Sequence, residues 1–162
     1  MRSLAALILC CTLAACGFKL RGEQNIPLES LFIQVPLNSP IGAEISRNLR
    51  GVSQVKILTV RKDAQAIFEP LGEQREREVL AINAQGRARE YQLRLTASFR
   101  VLDQTGNELL PVTTVTARRD ISINETDFLA RESEEALLYR DMQTDLVRQM
   151  INRLAAIKPD AG

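Results

Sequence analysis

The sequence predicts an α+β fold, a two-layer sandwich of an about four-stranded, mainly antiparallel sheet with two helices on one face, in the order β-α-β-β-β-α. Three observations lead there. From Tyr91 to Val101 apolar and polar residues alternate with period two, so that strand has one buried face and one wet face. From Leu138 to Ile157 apolar residues recur every three or four positions, which is a helix with one buried stripe. Ser39-Pro40, followed by Ile41, Ile45 and Leu49, marks a second and shorter amphipathic helix.

Taken in order, Leu31-Phe32-Ile33-Gln34-Val35 is a β-branched and aromatic run stopped by Pro36, a first strand. No tight turn joins it to the next strand, so its place in the sheet stays open. The helix after it is capped by Ser39, carries proline at its first position, and is expected to stop at Gly51. Val55 to Val60 is apolar enough for a short extended segment. The main β region starts near Ala64, and Pro70 and Gly72 interrupt it as a bulge or an edge position would. Glu73-Gln74-Arg75-Glu76-Arg77-Glu78 alternates opposite charges, which reads as a solvated strand edge protected against mispairing. Asn83-Ala84-Gln85-Gly86 is a turn, and the central strand follows it. Asp103-Gln104-Thr105-Gly106-Asn107 is a hairpin loop leading into a last strand from Leu109 to Ile123. The long helix spans about Asp127 to Ile157, with Glu132, Glu134, Glu135 and Asp141 in its first half and Arg148, Arg153 and Lys158 at its end, as the helix dipole favours.

The N-terminus carries a different signal. Arg2 precedes an apolar run from Leu4 to Leu13 of about ten residues, too short for a bilayer span of roughly 20. Leu13-Ala14-Ala15-Cys16 closes the run with the small residues a signal peptidase needs, and it resembles the lipobox of bacterial lipoproteins. Residues 1–15 are therefore expected to be a lipoprotein signal peptide and Cys16 the lipidated mature N-terminus. Residues 16–30 follow as the lipidated segment and linker, 31–157 as a single α+β domain, and 158–162 as a disordered tail. At about 0.8 kcal/mol per buried methylene, several acyl chains anchor a protein permanently.

Composition narrows the function. Cleavage at Cys16 removes Cys10 and Cys11, which leaves no thiol for a disulfide. Removing Arg2 from the 21 basic residues leaves 20, equal to the 20 acidic ones, so the mature chain is neutral and unlike a nucleic-acid binder. The chain has no histidine, and no glycine-rich phosphate loop or metal-ligand spacing is present. No enzyme, cofactor or metal is expected. The residues with binding chemistry are arginines, whose planar forks take phosphates bidentately. They are Arg87 and Arg89 past the first turn, Arg118 and Arg119 near the end of the last strand, and Arg131 at the start of the long helix. Each has a plainer reading as a surface charge neutralised by a nearby Glu.

Three strings carry a resemblance: Cys16-Gly17-Phe18-Lys19-Leu20-Arg21-Gly22, Gly86-Arg87-Ala88-Arg89-Glu90-Tyr91-Gln92-Leu93, and Leu129-Ala130-Arg131-Glu132-Ser133-Glu134. With the lipobox, the order of elements and the absence of histidine, the chain resembles the LPS-assembly lipoprotein family LptE. That family is the partner of the outer-membrane barrel LptD. The resemblance implies an outer-membrane lipoprotein that plugs the barrel lumen, aids barrel assembly and binds lipopolysaccharide. Family members have basic binding residues near the hairpin tip before the central strand and at the start of the C-terminal helix. Arg131 matches the second position. The turn itself holds no basic residue, and Arg87, just past its glycine, is the nearest match to the first. The alternatives are a periplasm-facing chaperone or scaffold without lipid binding, and a hydrolase built on carboxylates.

Overall fold

The computed structural model describes residues 25–35, 39–122 and 128–158, with the side chains of residues 52 and 128–131 outside the description. The signal segment, Cys16 and most of the 158–162 tail also lie outside the described residues. Among the described residues there are five strands and two α-helices: β1 (Ser30–Ile33), α1 (Pro40–Val52), β2 (Lys56–Leu58), β3 (Ala66–Ile82), β4 (Ala88–Asp103), β5 (Glu108–Ser122) and α2 (Phe128–Ala155). The α+β sandwich therefore stands, with one strand more than the sequence indicates.

The additional strand is β2, inside the short extended segment Val55–Val60. The sheet order is β2-β1-β3-β4-β5, in which β1 pairs parallel with both β2 and β3 while β3, β4 and β5 are antiparallel. Parallel neighbours need a crossover, and α1 supplies it between β1 and β2. The first strand thus sits inside the sheet, beside β3.

Local chemistry sets the boundaries. Ser39 caps α1, its Oγ accepting from the Gly42 N–H at 3.3 Å, and Pro40 follows in the first turn. The helix runs past Gly51 and stops at Ser53, whose N–H and Oγ–H both donate to the Leu49 carbonyl. That side-chain hydroxyl, and no left-handed glycine, ends α1. Pro70 and Gly72 produce a register shift in β3 without ending it, because pairing with β4 continues from Ala66 through Ile82. Gly86 and Gly106 have φ of +75° and +95°, the left-handed conformation their tight turns require.

Both helices pack on one face of the sheet. Leu93, Leu95, Ala97, Phe99 and Val101 of β4 share a single core with Ile45 and Leu49 of α1 and with Met142, Leu146, Met150 and Leu154 of α2. Phe68 stacks on Phe99 at its centre, ring centroids 5.0 Å apart. Ile26 and Leu28, placed by sequence in the linker, are buried in this core as well. The opposite face is a polar ladder, with Thr96 against Thr116, Ser98 against Thr114 and Gln92 against Asp120. Glu69, on that face, is nearly buried between Arg61 and Arg100.

Candidate functional site

The turn after β3 and the start of α2 lie at the same end of the molecule. β3 runs toward that end, β4 leaves it, and β5 returns to it, Ser122 pairing with Glu90. The helix α2 then starts at Phe128 and runs back over β4 and β5. Its first half is fixed to β3 by two contacts. The Tyr139 hydroxyl donates to the Glu76 carbonyl at 3.3 Å, and Glu135 lies 3.5 Å from an Arg77 guanidinium nitrogen.

Between them opens a cleft of about 770 Å³, lined by Arg75, Arg77, Tyr91, Glu132, Glu135 and Tyr139 together with Ala136. Period two puts Arg75 and Arg77 on the same side of β3, facing the helix, while Glu76 and Glu78 turn to the open face and pair with Arg94. Each cleft arginine lies on a tyrosine ring: Arg77 4.6 Å from the Tyr91 centroid and Arg75 5.0 Å from that of Tyr139. Burial, and then the Glu135 carboxylate, push the Tyr139 hydroxyl pKa above its ordinary value, so this group stays a protonated donor at neutral pH. Beyond the cleft, Val79, Leu80 and Ile82 at the end of β3 are large apolar side chains left exposed.

The arginines named from sequence fall into distinct settings. Arg87 is exposed beside the turn, which its backbone closes by donating to Asn83 Oδ1 at 2.9 Å and accepting from the Asn83 N–H at 2.7 Å. Arg131 lies in the first turn of α2, at the same end, with its side chain outside the description. Arg89 is exposed on β4, two residues before Tyr91. Arg118 is exposed on the open face, directly opposite Arg94. Arg119 is tied to Asp145, which also holds Arg148, and this makes it a strand-to-helix brace.

Arg75 and Arg77 were not legible as site residues. Their signal was present in the charge alternation, since every second position of Glu73–Glu78 shares a face, but the ring under each guanidinium comes from another element. Among the described residues no group of His, Cys, Asp or Glu side chains could hold a metal, and no helix is long and apolar enough to cross a membrane.

Comparison with known proteins agrees with this architecture. The LPS-assembly lipoprotein LptE of Pectobacterium atrosepticum is 28% identical over 149 residues, covering 89% of this chain and 79% of the relative. The solution structure of lipoprotein B from Nitrosomonas europaea superposes with a TM-score of 0.74 at 30% identity, covering 86% of this chain and 91% of that one. The crystal structure of rare lipoprotein B from Shewanella oneidensis shares the fold, with a TM-score of 0.69 at 20% identity over 78% of this chain and 94% of its own. The LptE lipopolysaccharide-assembly family matches residues 28–154, from the buried Leu28 to the last core leucine of α2, and the chain belongs to that family of lipopolysaccharide-assembly lipoproteins.

Proposed function

We propose that this protein is an outer-membrane lipoprotein, anchored through Cys16, that forms a complex with an LptD-type barrel, fills its lumen, aids its assembly and binds lipopolysaccharide on its way to the outer leaflet. Residues 1–15 are the cleaved signal peptide. Lipopolysaccharide contact is assigned to the end of the molecule that holds Arg87 and Arg131. One observation carries it: arginines stacked on tyrosines and the exposed Val79, Leu80 and Ile82 lie at that same end. A phosphorylated glycolipid needs both kinds of surface, cationic forks for phosphate and apolar area for acyl chains. Arg131 adds the N-terminal end of a helix, where backbone dipoles favour an anion.

The polar open face of the sheet suits the polar wall of a barrel lumen. A lipoprotein scaffold without lipid binding would use that face equally well, so the two readings part at the arginines. Arg131→Glu is expected to leave folding nearly intact and to weaken lipopolysaccharide binding by purified protein at fixed salt, with Arg87→Glu acting in the same direction. Unchanged binding in both variants would leave the scaffold reading. For the complex, the test is isolation from detergent-solubilised membranes. Recovery with a large β-barrel is expected, and recovery of the lipoprotein alone would sink the plug.

A further inference from the structure

The cleft holds its own anion where a ligand's would go. The Arg77 guanidinium sits over Tyr91, 4.6 Å from the ring centroid, with Tyr91 opposite Val79 and diagonal to Arg77 across the β3–β4 ladder. A guanidinium over an aromatic ring can still offer N–H donors to an anion. The Glu135 carboxylate approaches one guanidinium nitrogen at 3.5 Å, while about half of the Arg77 side chain stays exposed. An ion pair this long and this exposed is held weakly. A phosphate, with three acceptor oxygens, can take the same donors bidentately. Arg75 repeats the arrangement two residues earlier, with its Nε donating to Glu73 at 3.1 Å and its guanidinium 5.0 Å from the Tyr139 ring centroid.

Resting on the lipopolysaccharide-binding reading above, we infer that this cleft receives the phosphorylated sugar headgroup of the glycolipid, and that Glu135 is the internal anion which the headgroup phosphate displaces from Arg77. The cleft chemistry fits a sugar as well as a phosphate. Glu132, which also lines the cleft, offers acceptors to the hydroxyls of a sugar. Displacement requires only that the Glu135 side chain rotate, because Tyr139, one helical turn further on, keeps α2 attached to the β3 edge. The exposed Val79, opposite Tyr91 in the ladder, and the exposed Leu80 and Ile82 at the same end of β3 favour a headgroup carrying acyl chains over free phosphate.

The test is a binding series on the detergent-solubilised full chain. The probes are a diphosphorylated glucosamine-disaccharide lipid, its dephosphorylated form and inorganic phosphate. Glu135→Gln should tighten binding of the diphosphorylated lipid about threefold, and Arg77→Gln should weaken it about tenfold. The double variant Arg77→Gln/Glu135→Gln should bind like Arg77→Gln alone, because removing Glu135 helps only while Arg77 is there to be freed. Glu29→Gln, the same charge change on the exposed segment before β1, should bind like the parent. A gain in Glu29→Gln equal to that in Glu135→Gln, or a gain that survives in the double variant, would reduce the effect to bulk charge and overturn the inference. Inorganic phosphate binding as tightly as the lipid, or equal binding of the dephosphorylated lipid, would also overturn it. If the parent chain binds the lipid and Glu135→Gln changes nothing, the cleft assignment falls while lipopolysaccharide binding stands. If the parent binds none of the lipids, both fall.

Discussion

Ala66–Glu69 and Glu73–Glu78 belong to one strand and live in opposite environments. In the first stretch β3 lies between β1 and β4, and all four side chains are buried, Phe68 completely. In the second, β1 has ended and β4 is the only strand neighbour among the described residues, and every residue but the half-buried Glu76 is exposed. The backbone ladder is the same in both. One flanking strand keeps the chain extended in both stretches, and in the first β1 adds a second neighbour that covers the other edge. The consequence is functional: where β3 outruns β1, its helix-facing positions are released from the core and can hold Arg75 and Arg77.

This contrast makes its largest prediction in the core. Phe68→Ala should cost about 3–5 kcal/mol and Leu95→Ala about 2–5 kcal/mol in urea unfolding, since both side chains are fully buried. A loss below about 1 kcal/mol for Leu95→Ala would remove that face from the core and undo the two-layer arrangement. The next effect tests what buries the first half of β3. Gly42 of α1 sits against Val35, just past β1, so that an added Cβ would come within 3.1 Å of the Val35 Cβ and still closer to one of its methyls. Gly42→Ala should therefore cost about 1–3 kcal/mol by overpacking. An unchanged midpoint would mean that α1 and the end of β1 are free to separate. In the projecting half the same measurement should barely register. Glu78 and Arg94 form a 3.3 Å pair with the glutamate side chain 64% exposed, and Glu78→Gln should change stability by less than about 1 kcal/mol.

The sequence exposed the buried half of this contrast better than the projecting half. Alternation in β4 and the stripe from Leu138 to Ile157 reflect burial that repeats along an element, and such periods survive in one dimension. β2 did not show as a strand because Lys56–Leu58 is too short for a period, and its partner Ser30–Phe32 is reached only across α1. The stop at Gly51 was misplaced because Ser53 ends α1 through its side chain, a device that leaves glycine unnecessary. Glu73–Glu78 was legible as a charged edge. Its division into a glutamate face paired with Arg94 and an arginine face laid on Tyr91 and Tyr139 depends on which element passes over each side, and no local pattern records that.

The two hairpin ends provide the smallest and most selective test. Both turns are closed in the same way from the residue that opens them. Asn83 Oδ1 accepts from the N–H groups of Gln85 and Arg87, and Asp103 Oδ1 accepts from those of Thr105 and Asn107. At the cleft end the acceptor is a neutral amide, and at the core end it is a carboxylate. Hydrogen bonds from the Thr105 hydroxyl and then the Asn107 side-chain amide lead in lowering the Asp103 pKa from 3.8 to about 2. A carboxyl group whose folded pKa is depressed stabilises the fold above its unfolded value, and that contribution disappears as pH falls from about 3.8 through about 2. Asp103→Asn should therefore flatten the fall in urea midpoint across that window relative to the parent chain. Asn83→Asp should steepen it less than Asp103 does, because the Gln85 and Arg87 N–H groups match only the backbone bonds of the Asp103 turn and not the leading Thr105 hydroxyl bond. The Asn83→Asp effect should also spare the core, because the turn lies beyond the last buried pair of β3 and β4. Parallel midpoint curves for the parent chain and Asp103→Asn would show that the turn bonds do not hold the charged form, and the two ends of the sheet would then differ only in burial.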